Sequence, residues 1–131
     1  MGFLRSADNY VKVYTDGSHK PPRSGGIGVF FGQRNINNVS ERAQEPVESS
    51  HCAEVQAATK AIKVLKRHHE TNVNLFTDSD VLNENRTNAG NHRWWNEYNA
   101  AKSGMNVRIH RISRTDFSLQ EADKLARNAI H

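Results

Sequence analysis

Alternating hydrophobic and polar positions predict two strands near the start of the chain. Across residues 10–15 the odd-numbered side chains fall on one face and the even-numbered ones on the other, which predicts a half-buried strand that ends at Asp16. A Pro- and Gly-rich turn over residues 21–26 leads to a second strand, residues 27–31, which we expect to pair with the first in antiparallel fashion. A third, weaker strand is predicted somewhere within residues 36–43.

Helical periodicity dominates the middle of the chain. Apolar residues recur at helical spacing over residues 51–67, with the basic residues outside that stripe, and Ser49 and Ser50 precede this helix as candidate caps. Residues 73–77 form a predicted buried strand, which a polar turn connects to the helix. This succession of elements is typical of a β-α-β crossover between parallel strands.

The last third of the chain alternates between helices and a strand. We predict a short helix over residues 79–87, a second helix containing Trp94 and Trp95 that ends at Gly104, a strand over residues 107–112, and a terminal helix opened by a capping box at residues 118–121. Trp95 is expected in the core, whereas for Trp94 core packing and base stacking both stay open. Three strands followed by alternating helices and strands predict an α/β fold, with a mixed five-stranded sheet whose first three strands are antiparallel and which is flanked by helices.

Composition limits the organisation and the partners. A chain of 131 residues fits one domain, residues 1–131, with a folded core over about residues 9–130. The formal net charge of +4 favours a polyanionic partner without naming one. A single cysteine excludes an internal disulfide and fits a reducing compartment. No apolar run is long enough to cross a bilayer, so we expect a soluble intracellular monomer, either cytoplasmic or nuclear, with no membrane partner.

Four acidic residues stand at positions that carry chemistry. Asp16 and Asp78 each follow a predicted strand, where an open α/β sheet presents its strand ends to a ligand, while Glu54 and Asp123 interrupt apolar helical patterns. Each acid alone has an ordinary explanation as a turn residue, a helix cap or part of a solvated helix face. Together, without His or Cys ligands, they favour Mg²⁺ or Mn²⁺ over zinc. Two such cations bound close together can catalyse the hydrolysis of phosphodiesters.

The same acids lie in four short segments whose order resembles the signatures of the type 1 ribonuclease H family. The segments are Thr15-Asp16-Gly17-Ser18, Ala53-Glu54, Thr77-Asp78-Ser79 and Ala122-Asp123-Lys124-Leu125-Ala126. The resemblance extends over about residues 10–129 and implies an endoribonuclease that hydrolyses the RNA strand of RNA/DNA hybrids. By that resemblance, the four acids would be the catalytic ligands of two Mg²⁺ ions, with Mn²⁺ as a substitute, and the products would carry 5′-phosphates.

The resemblance also implies which residues contact the substrate. Gly17 and Ser18 would read the 2′-hydroxyl groups that distinguish RNA from DNA. Ser49, Ser50 and Asn91 match the positions of a pocket that holds a phosphate of the DNA strand.

Two departures from the family pattern bear on activity. The usual histidine-bearing loop before the terminal helix is replaced by residues 113–117, which contain no histidine, and the basic protrusion of many members is absent. We therefore expect slower turnover with metal binding retained, unless Arg114 or Asp116 takes over part of the histidine's role as an auxiliary group. The alternatives are a weakly active or inactive module that binds hybrids, and a DNA-acting nuclease on the same fold.

Overall fold

A mixed five-stranded sheet lies at the centre of the computed structural model, which describes residues 2–84 and 92–130. The elements are β1 Val11–Lys20, β2 Ser24–Phe30, β3 Val39–Arg42, α1 Ser50–Arg67, β4 Asn72–Thr77, α2 Val81–Glu84, α3 His92–Lys102, β5 Asn106–Arg111 and α4 Phe117–Asn128. The spatial order of the strands is β3-β2-β1-β4-β5. β1, β2 and β3 pair antiparallel, while β4 runs parallel to both β1 and β5, so the predicted fold class is confirmed.

The first strand is longer than the sequence pattern predicts. The prediction that it ends at Asp16 is wrong, because β1 continues to Lys20 in antiparallel pairing with β2, with Asp16 opposite Gly28 and Lys20 opposite Ser24. Its parallel pairing with β4 stops earlier, at Tyr14. Asp16 therefore lies just beyond the parallel part of the sheet, beside the end of β4.

Helices cover both faces of the sheet, and successive residues of β1 point alternately to the two faces. Val11 and Val13 pack in one core cluster with α1 and α3, whereas Tyr14 packs in a second cluster with α4. Trp94 and Trp95 are both buried in the first cluster, so the base-stacking alternative for Trp94 is wrong. The helices that flank the site described below are thus α1 on one face of the sheet and α4 on the other.

The helix ends differ from the predicted caps. Ser49 is the N-cap residue of α1, but its side chain makes no capping hydrogen bond and its Oγ lies 3.8 Å from Cys52 Sγ. The prediction that a capping box at residues 118–121 opens α4 is also wrong. The helix begins at Phe117, and the Leu119 amide donates to Oδ1 of the N-cap residue Asp116 at 3.0 Å. Gly104 follows α3 with a left-handed φ of 77°, as a helix-ending glycine should.

The short helix predicted after β4 can be compared with the structure only in part. Of the short helix predicted over residues 79–87, α2 covers Val81–Glu84, residues 79 and 80 precede it and are not helical, and the remainder lies outside the described residues. Within residues 2–84 and 92–130, no helix combines the length and the hydrophobicity needed to span a bilayer.

Two glycines let the helices approach the sheet closely. A Cβ atom on Gly17 would overlap the backbone of Ala53 and Glu54 in the first turn of α1. A Cβ atom on Gly28 would overlap the carbonyl oxygen of Ala122 in α4. Since only glycine leaves room for these contacts, the two positions bring Glu54 and the neighbouring Asp123 up to the sheet from opposite faces.

Candidate metal centre

Three carboxylates meet where β1, α1 and β4 come together. Asp16 lies in the middle of β1, Glu54 in the first turns of α1, and Asp78 directly after the end of β4. One carboxylate oxygen from each lies within 4.8 Å of the other two. Asp16 and Glu54 are buried, and Asp78 is half-buried. Oxygens at these separations can converge on one divalent cation.

The fourth acid, Asp123, comes from α4. Its carboxyl group is close enough to Asp16 to raise the pKa of Asp16. It does not belong to the group of three that converges within 4.8 Å. Asp16 is consequently the acid that has all three others, Glu54, Asp78 and Asp123, as electrostatic neighbours.

Burial makes these acids resist ionisation. Burial raises the pKa of Asp16 to about 7, and the charges of Asp78 and Asp123 act in the same direction. Burial also raises the pKa of Glu54 well above its usual range, and the nearby Asp16 adds to the effect. Glu54 Oε2 is buried and has no hydrogen-bond partner. A buried, unpaired carboxylate oxygen among other acids is costly unless a cation neutralises it, so this donor set fits a hard divalent cation.

The electrostatics predict that the metal-free protein loses stability as the pH rises. The pKa of Asp16 is higher in the folded protein than the ordinary value of 3.8, so its contribution to stability is complete below pH 3.8 and is lost as the pH rises to about 7. In EDTA at pH 8, Asp16→Asn should therefore raise the free energy of unfolding, by on the order of 2 kcal/mol. At pH 4 the difference should be much smaller. Urea denaturation at both pH values measures it.

A matched control exists in the exposed Asp80, two residues after Asp78. Asp80→Asn should leave the stability nearly unchanged at pH 8, because its carboxylate is solvated and outside the group of three acids. An equal gain for both variants, or a gain from Asp16→Asn that does not depend on pH, would contradict the repulsion argument.

A cleft of about 730 Å³ opens over the acids. Of the substrate-binding residues predicted from the sequence, Gly17, Ser18 and Ser50 line it. Ser49 is turned toward Cys52 instead, and Asn91 lies outside the described residues.

The loop between β5 and α4 contributes one of the two predicted auxiliary groups to the cleft. Arg114 lines the cleft beside Asp78. Asp116 accepts the hydrogen bond that caps α4. Arg114 is thus the better placed of the two candidates.

Sequence reasoning overlooked several residues that line the cleft, among them His51 and Arg127. His51 stands three residues before Glu54 in α1, and Arg127 four residues after Asp123 in α4. Helical spacing of three or four residues places such pairs on the same side of a helix. That spacing was the signal that could have found both residues once the two acids were chosen.

Comparison with known proteins identifies the family. The ribonuclease H family model matches residues 8–131, nearly the whole chain. The chain belongs to the ribonuclease H family, as the order of its acidic segments predicts.

Individual relatives agree with this assignment. The chain is 37% identical over 75 residues to a ribonuclease H of Legionella pneumophila (strain Lens). The match includes 56% of this chain and 50% of that protein, so the chain spans about half the length of the curated relative it matches.

Solved structures share the fold. Ribonuclease H1 of the halophilic archaeon Halobacterium salinarum NRC-1 superposes with a TM-score of 0.76 at 18% identity, over 93% of this chain and 98% of the other. The N-terminal ribonuclease H domain of a Mycobacterium tuberculosis protein gives 0.72 at 16% identity, over 92% and 100%. LC11-RNase H1, solved in complex with an RNA/DNA hybrid, gives 0.70 at 20% identity, over 91% and 95%.

Proposed function

We propose that this chain is an endoribonuclease that hydrolyses the RNA strand of RNA/DNA hybrids with the help of two divalent cations. The observation that carries the proposal is the convergence of Asp16, Glu54 and Asp78 within 4.8 Å, with Asp123 as a further acidic neighbour of Asp16, in a member of the ribonuclease H family. The shared fold with a ribonuclease H1 solved in complex with a hybrid supports the choice of substrate.

The acids divide naturally into two sets of ligands. Asp16, Glu54 and Asp78 would hold one cation, and Asp16 together with Asp123 would hold the second. All donors are carboxylate oxygens, which favours Mg²⁺, with Mn²⁺ as a substitute. Two bound cations would supply an activated water, stabilise the charge on phosphorus and neutralise the leaving oxygen, so that cleavage leaves 5′-phosphate and 3′-hydroxyl ends.

The protein's own contribution is to fix the acids before substrate arrives. Asp16 is held within a strand that pairs with β2, and the Gly17 amide donates to its Oδ1 at 3.0 Å. Glu54 is held by the contact between α1 and Gly17 described above. Because these carboxylates need little rearrangement, their negative charge is preorganised for cation binding.

Substrate recognition is proposed for the rim of the cleft. Gly17, Ser18 and Ser50 line the cleft, and we assign their backbone and hydroxyl groups to contacts with sugar 2′-hydroxyls and adjacent phosphates. The proposed roles of Ser49 and Asn91 in binding the DNA strand rest on the family resemblance. Arg114 stands in the loop that lacks the histidine, and we assign it the auxiliary role there.

The decisive experiment offers the purified full chain three labelled duplexes of one sequence: RNA/DNA, RNA/RNA and DNA/DNA. In Mg²⁺ or Mn²⁺ we expect the RNA strand of the hybrid to be cut to fragments with 5′-phosphates, and in EDTA we expect no cutting. Hybrid binding without cleavage in either metal would favour the binding-module alternative. Cleavage of the DNA duplex in preference to the hybrid would favour a DNA-acting nuclease.

A further inference from the structure

Two arginines form ion pairs with the outer acids of the site. Arg114 Nε lies 3.8 Å from Asp78 Oδ2, and Arg127 Nη2 lies 2.7 Å from Asp123 Oδ2. These two carboxylates are the more exposed members of the four, with side-chain exposures of 21% and 40%. The guanidinium groups therefore occupy the same carboxylates that divalent cations would use.

Both arginines can move without disturbing the fold. Their side chains are 86% and 58% exposed, and both line the cleft. Arg114 comes from the loop between β5 and α4, and Arg127 from the last turn of α4, so the two reach the acids from separate elements. Exposed ion pairs of this kind contribute little to stability and exchange partners easily.

A divalent cation and a guanidinium group cannot both neutralise the same carboxylate favourably. A cation of charge +2 at Asp78 or Asp123 competes for the carboxylate oxygen and repels the arginine beside it. The displaced guanidinium keeps its fork of donors, whose geometry matches the oxygens of a phosphate. At the rim of this cleft, the nearest phosphates would be those of a bound nucleic-acid strand.

We propose that Arg114 and Arg127 are exchangeable counter-ions. They neutralise Asp78 and Asp123 in the metal-free protein, and when divalent cations take these carboxylates they turn outward and bind backbone phosphates of the substrate. The identity of the substrate as an RNA/DNA hybrid rests on the proposed function. The exchange would couple cation binding and substrate binding, so that each strengthens the other.

Cation affinity of the full chain, measured by calorimetry in Mg²⁺ without nucleic acid, tests the first half of the proposal. Arg114→Gln and Arg127→Gln should each bind Mg²⁺ more tightly, by roughly 2- to 5-fold, because a competing charge is removed. Arg108→Gln is the matched control, since Arg108 pairs with Asp8 and does not line the cleft. Its Mg²⁺ affinity should equal that of the unmodified protein. Unchanged or weaker Mg²⁺ binding in both cleft variants would overturn the proposal.

Hybrid affinity tests the second half. Fluorescence anisotropy in Ca²⁺, with the RNA strand checked for integrity on a gel, should show roughly 10-fold weaker binding for each cleft variant. The slope of log affinity against log salt should fall by about one per arginine. In EDTA the loss should be much smaller, because the acids then hold the arginines. An equal loss with and without the cation would refute the exchange.

The two measurements separate this proposal from a purely structural role and from the proposed function itself. A structural role would weaken both cation and hybrid binding, whereas counter-ion exchange changes them in opposite directions. Neither measurement requires cleavage. A chain that fails to cut hybrids would therefore still show whether the arginines exchange partners.

Discussion

Replacing Asp78 by Asn is expected to abolish hybrid cleavage almost completely while leaving the fold intact. The substitution removes one negative charge from the group of three acids but preserves the size of the side chain. A loss of several kcal/mol of transition-state stabilisation by the cations corresponds to roughly a thousand-fold in rate. Single-turnover cleavage of a labelled hybrid in Mg²⁺, together with circular dichroism of the same preparation, measures both parts of the expectation.

Asp80→Asn provides the matched comparison for this experiment. Asp80 follows two residues later, between β4 and α2, and is exposed, and its carboxylate pairs with Arg111 rather than joining the group of three acids. Its replacement should change the cleavage rate by less than about 3-fold, as expected for a surface ion pair. Near-normal cleavage by Asp78→Asn, or an equal loss in both variants, would be incompatible with the proposed ligand set. Asp16→Asn and Glu54→Gln should behave like Asp78→Asn.

Local patterns were sufficient to predict most of the architecture. The apolar stripe of α1 and the short apolar run of β4 can be recognised from residues that are close together in the sequence. Both elements occur where they were predicted. The acids could be chosen because each stands where its pattern would otherwise place an apolar or a turn residue. Their convergence follows from the topology. Asp16 and Asp78 each lie two residues beyond Tyr14 and Phe76, the last pair of the parallel ladder between β1 and β4, and α1 packs against Gly17 beside them.

Features that depend on distant contacts were not predictable in the same way. Asp16-Gly17 looks like a turn to any local rule, but pairing with β2 extends the strand through it. The start of α4 depends on which side chain accepts a hydrogen bond from the first free amides of the helix. Asp116 accepts from the Leu119 amide, although the capping-box pattern at Ser118 fits the local rule. The ion pairs of Arg114 and Arg127 are likewise visible only once the folded elements are brought together.

Gly17→Ala is expected to damage both stability and activity, because this glycine sets the distance between β1 and α1. An added Cβ would overlap the backbone of Ala53 and Glu54, and backbone atoms in a helix cannot move aside singly. Such overpacking should lower the free energy of unfolding by about 2 kcal/mol. The shift of the α1 end would also carry Glu54 away from Asp16, and a displacement of about 1 Å at a catalytic group can cost roughly 100-fold in rate.

The measurement that distinguishes this effect from simple loss of folded protein is cleavage per folded molecule, with the folded fraction taken from urea denaturation. Gly2→Ala is the control, since a Cβ there meets no atom within 4 Å, and it should leave both the cleavage rate and the stability unchanged. A Gly17→Ala protein that is less stable but fully active per folded molecule would contradict the expectation that Gly17 fixes the position of Glu54. A cation ligand displaced by about 1 Å cannot keep its coordination geometry, so full activity would mean that the added Cβ is accommodated without moving the Glu54 carboxylate.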